Sequence, residues 1–119
     1  MITEDYVSFE TAKLLKEKGF DEYCYGYYYT SEYMTLGDIK QRNLELYRDS
    51  YSAPTLQRTM KWLREVHNIA IETEWEHLWY AYVKPMTSKP SEEDCYQCES
   101  LKYEEACEVA IKYCLENLI

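Results

Sequence analysis

Residues 56–76 change from one hydrophobic period to another without a break, and this change restricts the fold more than any other feature of the chain. Apolar residues first recur at helical spacing, at Leu56, Met60, Leu63 and Val66. From Ile69 to Glu76, apolar residues and Thr73 then alternate with Ala70 and glutamates, which is typical of a half-buried strand. A helix that leads directly into a strand, in a chain of 119 residues, indicates one small α+β domain.

Three segments have helical patterns, at about 8–18, 54–67 and 103–118. Ser8 is a good N-cap for the first, and Gly19 stands where a left-handed residue ends such a helix. Pro54 suits the first turn of the second helix. Lys102 takes the cap position of the third, although lysine caps poorly. The predicted buried face of the third helix consists of Ala106, Ala110, Tyr113, Cys114 and Leu118.

The remaining segments predict short strands and their connections. Alternating tyrosines predict a strand at 23–29, and residues 69–76 and 78–83 predict a hairpin. Short strands are also expected at 44–47 and 95–99, with an irregular polar connection at 31–43 and an exposed loop at 85–94. We therefore expect a two-layer α+β sandwich, in which an antiparallel sheet of three to five short strands packs with three helices, and a single domain spanning residues 1–119.

The charge balance restricts the partners. Lysine and arginine number 13 against 22 acidic residues, which gives a net charge of −9. Without a basic stripe, direct nucleic-acid binding and binding to anionic membranes are disfavoured. No apolar run is long enough to span a membrane, and the acidic start lacks signal-peptide features, so the sequence predicts a cytoplasmic protein. Its five cysteines are then expected to be reduced thiols.

Four of the cysteines have spacings that bear on metal binding or redox chemistry. Cys95 and Cys98 have the C-x-x-C spacing of a zinc or thioredoxin-like pair. A zinc site needs four ligands, and two cysteines three apart on one strand point to opposite faces. We therefore predict no metal site, with Cys95 and Cys98 as the one candidate pair. Cys107 and Cys114 lie on one helical face and are interpreted as small buried hydrophobes.

Candidate catalytic groups are few. Glu72, Glu74 and Glu76 share a strand face beside His77, and such groups can bind metal or exchange protons. The solvated face of a half-buried strand explains them as well, and we favour that interpretation. No nucleophile elbow, phosphate loop or H-E-x-x-H motif is present. The sequence predicts no catalytic residue and no cofactor.

Tyrosine is the unusual component, with 14 residues in 119. Tyrosine combines a large contact area with a polar tip and is enriched at interfaces. The alternative is that one face of the tyrosine strand is core and the other is covered by the nearby loop. The candidate partner surface consists of Tyr23, Tyr25, Tyr27, Tyr28, Tyr29, Tyr33 and Trp62.

Six blocks of the sequence are similar to those of a known protein family: Tyr6 to Glu10, Ala12 to Phe20, Ala53 to Thr55, Met60 to Glu65, Tyr103 to Ala106 and Lys112 to Ile119. In these blocks the chain resembles a family of small uncharacterised proteins encoded by gut-bacterial genomes and by their phages and mobile elements. It is more distantly similar to small phage α/β sandwich domains. The resemblance implies no catalytic residue, and Lys102 departs from the Thr or Ser that the family usually has there.

These observations favour a small acidic cytoplasmic binding or accessory protein that acts by protein–protein contact, and they disfavour an enzyme. One alternative is a small-molecule binder or enzyme whose site is not recognisable from sequence. Another is a phage-encoded modulator that mimics nucleic-acid charge. A structural homo-oligomer is the remaining class.

Overall fold

The computed structural model describes residues 2–30, 33–87 and 95–119. Its contacts divide the chain into two compact units, Met1–Thr55 and Leu56–Ile119. Residues 88–94 of the predicted exposed loop lie outside the described residues. The single domain over residues 1–119 stays a prediction.

Each unit contains one antiparallel three-stranded sheet. The first unit consists of α1 (Phe9–Glu17), β1 (Cys24–Tyr29), β2 (Met34–Gln41), a short 3-10 helix (Asn43–Glu45) and β3 (Ser50–Ser52), with strand order β2-β1-β3. The second consists of α2 (Leu56–His67), β4 (Ile69–Trp75), β5 (Trp79–Pro85), β6 (Tyr96–Ser100) and α3 (Tyr103–Asn117), with strand order β4-β5-β6. The α+β sandwich and its three helices are confirmed, and the strands form two sheets where the sequence predicted one.

Local signals determine both ends of α1. The Ser8 hydroxyl accepts a hydrogen bond from the Thr11 N–H at 3.3 Å. At the other end, Gly19 has φ +92°, and the Phe20 N–H donates to the Leu15 carbonyl at 2.8 Å. These contacts are the N-cap and the Schellman ending that the sequence predicts, and they satisfy backbone groups that a helix end leaves without partners.

Three aromatic rings pack against one another in the first unit. The Phe9 ring meets Tyr28 and Tyr51 edge-on, with centroids 5.5 and 5.7 Å apart. The Tyr28 hydroxyl donates to the Val7 carbonyl at 2.7 Å, so this buried phenol keeps a hydrogen bond. The register of β1 on β2 shifts between Cys24 and Gly26.

Two predicted segments of this unit are wrong. Residues 31–43 contain strand β2 rather than an irregular connection, and residues 44–47 form no strand because the 3-10 helix ends there. The buried Asn43 amide donates to the Phe20 carbonyl at 2.6 Å and accepts from the Ser52 N–H at 2.9 Å. Asp21 accepts from the Leu44 N–H at 2.9 Å. These tertiary hydrogen bonds override the local strand pattern.

The second unit begins with α2, which buries Leu56, Met60 and Leu63 as predicted but exposes Val66. The helix ends at Asn68, whose φ of +56° is the left-handed conformation expected there. Strand β4 then pairs with β5 in a hairpin. The inward alternation predicted for β4 holds only at its start, since the later residues are exposed on both faces, including Trp75.

Helix α3 packs on β5 and β6, and its buried face differs from the predicted one, because Tyr113 and Leu118 are only half-buried. It consists of Ala106, Cys107, Ala110, Ile111, Cys114 and Leu115. Lys102 provides no side-chain cap. Instead the Ser100 hydroxyl accepts from the Lys102 N–H at 3.2 Å and donates to the Glu105 carboxylate at 2.9 Å. In a capping box, the carboxylate at the third helical position accepts a hydrogen bond directly from the N–H of the cap residue. Here the Ser100 hydroxyl lies between the Lys102 N–H and the Glu105 carboxylate and bonds to both.

Within the described part of the chain, no helix is both long and apolar enough to cross a membrane.

Candidate functional site: a tyrosine-walled groove

The outer side of the first sheet carries a groove with a volume of about 430 Å³. Tyr27 and Tyr29 from β1 form one wall, and Tyr47, from the turn before β3, forms part of another. The remaining lining residues are Thr35, Gln41, Glu45, Leu46 and Ser50. We call this surface the tyrosine-walled groove. Three phenol groups, two hydroxyls, an amide and one carboxylate give it both apolar area and hydrogen-bonding capacity.

Ser50 is the most informative residue of the groove. It is only 1% exposed, and its Oγ has no hydrogen-bond partner in the described structure. Buried hydroxyls normally find a partner, because leaving one without a hydrogen bond costs about 1–3 kcal/mol. Ser50 also lines the groove, so a ligand that reached this hydroxyl would supply the missing partner, whereas the Ser52 Oγ lacks a partner without lining the groove.

Lys16 of α1 fixes the wall that contains Tyr47 and Ser50. Its ammonium group donates to the carbonyls of Ser50 at 2.8 Å, Tyr47 at 3.2 Å and Arg48 at 3.4 Å. The same ammonium lies 5.2 Å from the centroid of the Tyr51 ring. Three hydrogen bonds from one ammonium group to backbone carbonyls restrain this turn.

Glu45 supplies the one carboxylate of the groove. Its Oε1 lies 3.4 Å from Arg42 Nε, and Arg42 also contacts Asp21 at 3.2 Å. Glu45 is thus the one charged side chain that lines the groove, and most of the lining offers ring surface, hydroxyls and an amide.

The other exposed tyrosines of the predicted partner surface differ in their surroundings. Arg42 lies over the ring of Tyr23 at 5.7 Å, and Lys40 lies over the ring of Tyr25 at 5.4 Å. Tyr33 is 83% exposed and does not line the groove. Of the seven predicted residues, only Tyr27 and Tyr29 belong to the groove.

Two residues of the predicted partner surface are buried and cannot contribute exposed area. Tyr28 is 6% exposed because it packs in the core of the first unit. Trp62 is 7% exposed, and its ring meets His67 edge-on at 4.6 Å. Trp62 is therefore buried, whereas Val66, which the sequence assigned to the buried face, is 58% exposed. The role of the exposed tyrosines as a partner surface stays a prediction.

None of the five cysteines, all of which the structure describes, takes part in a disulfide. Cys95 is exposed just before β6, whereas the Cys98 thiol is turned toward α3 and donates to the Ala106 carbonyl at 3.3 Å. Burial raises the pKa of Cys98 and of Cys107, and it raises the pKa of Cys114 to about 12. A raised pKa keeps a thiol protonated and disfavours the thiolate that metal binding and redox chemistry need.

The glutamates and His77 form no compact cluster with metal-site geometry. Among residues 2–30, 33–87 and 95–119, no three His, Cys, Asp or Glu side chains are placed to hold a metal ion. Glu72 and Glu74 are exposed residues of β4, whereas His77 lies in the following turn with φ +66°. The centroid of the His77 ring is 6.3 Å from that of the Trp75 ring.

The residues of the groove that sequence reasoning missed are Thr35, Gln41, Glu45, Leu46, Tyr47 and Ser50. All of them except Ser50, which lies in β3, belong to the two segments for which the predicted secondary structure is wrong. The one available signal was Tyr47, an aromatic residue close in sequence to the tyrosine strand.

Comparison of the chain with protein-family models, curated proteins and solved structures finds no match. The resemblance to small proteins of gut bacteria and their phages therefore stays a prediction.

Proposed function

We propose that the chain is a small binding protein whose tyrosine-walled groove takes up a segment of a partner protein. The observation that supports this proposal is the buried Ser50 hydroxyl without a partner, at a groove walled by three tyrosines. Tyrosine offers contact area at low cost in side-chain entropy, and its hydroxyl can follow either donors or acceptors of a ligand. The proposal retains the cytoplasmic setting and direct protein contact expected from the sequence, with no nucleic-acid or membrane binding.

A small organic ligand is the second candidate. The groove volume of about 430 Å³ lies within the range of about 300–1,000 Å³ typical of small-molecule sites. The same residues would then bind a compact molecule with ring and hydroxyl or amide groups. The two candidates differ in the ligand and share the groove.

Selection from a displayed library of random peptides, with the full chain as bait, tests the leading proposal. The selected peptide is then titrated by calorimetry against variants. Tyr47→Ala should weaken its binding about tenfold, because truncating an aromatic interface residue commonly costs 1 kcal/mol or more. Tyr33→Ala is the matched control, since Tyr33 and Tyr47 are 83% and 80% exposed but only Tyr47 lines the groove.

Ser50→Ala separates binding from folding. It should weaken the selected peptide's binding while leaving the free energy of unfolding unchanged or slightly higher, because no hydrogen bond within the chain is lost. Equal affinities of the peptide for the Tyr47→Ala and Tyr33→Ala variants would refute the groove as its site. If no peptide is selected and a fragment library shifts amide resonances of Tyr27, Tyr47 and Ser50, the small-molecule candidate replaces the leading one.

A further inference from the structure

The sheet of the second unit has an outer face, opposite α2 and α3, that combines acids with tyrosines. Antiparallel pairing places Tyr82 opposite Glu72, and Tyr80 opposite both Glu74 and Glu99. Directly paired residues project on the same side of a sheet with Cβ atoms about 5 Å apart. We call Glu72, Glu74, Tyr80, Tyr82 and Glu99 the acidic tyrosine face.

One row of this face already holds a cation of the chain itself. The Lys84 ammonium donates to the Glu72 carboxylate at 2.7 Å and lies 5.7 Å from the centroid of the Tyr82 ring. The hydrogen bond to Glu72 raises the pKa of Lys84. A carboxylate beside a tyrosine ring therefore forms a cation site on this face.

The next row, Tyr80 with Glu74 and Glu99, also combines a tyrosine ring with carboxylates but contains no lysine or arginine. The Tyr80 and Tyr82 rings are stacked, with centroids 6.3 Å apart and planes at 17°, and the strand register pairs Tyr80 with Glu74 on one side and Glu99 on the other. In the part of the chain that the structure describes, no basic side chain pairs with either of these glutamates. Partial burial and the neighbouring Glu74 raise the pKa of Tyr82, consistent with a negative potential here.

We propose that the row of Tyr80, Glu74 and Glu99 binds a lysine or arginine side chain of a basic segment in a partner protein. The incoming cation would repeat the contacts that Lys84 makes one row away. The net charge of −9 attracts a basic segment and repels a second copy of this chain. The residues involved are separate from the tyrosine-walled groove, so this inference holds whether or not the groove binds a ligand.

Titration of the full chain with the peptide acetyl-Gly-Lys-Gly-Lys-Gly-amide, followed by ¹H–¹⁵N correlation spectra at low ionic strength, tests the proposal. We expect amide shifts centred on Tyr80, Glu74 and Glu99. The same peptide with both lysines acetylated keeps its length but loses its charge, and it should cause no such shifts. Added salt should weaken binding, because exposed charges are screened.

Variants show whether peptide binding depends on the row of Tyr80, Glu74 and Glu99 or only on the net negative charge of the chain. Tyr80→Leu should weaken peptide binding about twofold to fivefold, as expected for an exposed cation–π contact. Glu74→Gln should also weaken it, whereas Glu65→Gln, with the same change of charge on α2, should not. Equal effects of Glu74→Gln and Glu65→Gln, or binding of the acetylated peptide, would overturn the proposal. Shifts at this face that appear on concentration without peptide would show a second copy instead and would also overturn it.

Discussion

Replacement of Gly26 by alanine should destabilise the first unit more than any other glycine change in its sheet. Gly26 is buried on β1, and a β-carbon added there would lie 2.5 Å from the Ala53 carbonyl oxygen. It would also lie 3.3 Å from the Met34 sulfur and from a ring carbon of Tyr6. An ordinary carbon–oxygen contact is longer by roughly 1 Å, so the backbone at Ala53 must move.

The cost follows from what holds that backbone. The Ala53 N–H donates to the Gly26 carbonyl at 2.8 Å, and the adjacent Pro54 carbonyl accepts from Val7 at 3.0 Å. Overpacking costs about 1–3 kcal/mol, and weakening one of these hydrogen bonds adds about 1 kcal/mol. Alanine also lowers the entropy of the unfolded chain, which offsets about 0.4–1 kcal/mol. We expect a net loss of about 2–3 kcal/mol in the free energy of unfolding.

Urea unfolding followed by far-UV circular dichroism measures this loss. Gly37→Ala in β2 is the control, because a β-carbon at Gly37 meets no atom closer than 3.4 Å. The control should change the free energy of unfolding by less than about 0.5 kcal/mol. Equal stability of the two variants would refute the tight approach of β1 to Ala53.

Three further changes test other parts of the structure. Asn43→Ala should lower the free energy of unfolding by about 2–4 kcal/mol in urea, because the Ser52 N–H and the Phe20 carbonyl both lose a buried partner; a loss below about 1 kcal/mol would contradict this. Ser100→Ala should cost about 1 kcal/mol through loss of the relayed cap of α3, again by urea unfolding. The Cys114 thiol, whose pKa rises from 9.0 to about 12 on folding, holds its proton more tightly in the folded state. Its contribution to the free energy of unfolding should therefore be complete below pH 9 and should fall by up to about 1.4 kcal/mol per pH unit above pH 9. Urea unfolding between about pH 8 and 10 should show this decrease in the parent chain. The decrease should be smaller in Cys114→Ala.

Sequence reasoning predicted the elements whose signals are local. Helix α1 carries its own cap and its own left-handed ending at Ser8 and Gly19. The hairpin of β4 and β5 follows from alternation and from the left-handed Asn68. In these segments the side chains that decide the conformation are close in sequence, so composition and spacing suffice.

The missed elements depend on distant partners. Strand β2 exposes residues on both faces, so no alternation marks it, and its Gly37 and Asp38 resemble a turn. The 3-10 helix at Asn43–Glu45 is stabilised by the Asn43 side chain, which hydrogen-bonds to the Phe20 carbonyl and the Ser52 N–H. Apart from Ser50 in β3, the groove residues outside β1 lie in or beside these two elements, so the tyrosine strand of the groove was predictable but its other lining residues were not.

The contact of Lys16 with three carbonyl groups has a consequence for the thermodynamics of binding. Because this ammonium fixes the turn of Tyr47 and Ser50 when the chain folds, the conformational entropy of that wall is lost before any ligand arrives. A ligand then meets a preorganised surface, and a change that loosens Lys16 would weaken affinity without removing a single ligand contact. By linkage, a ligand in the groove should in turn protect the amides of α1 from hydrogen exchange.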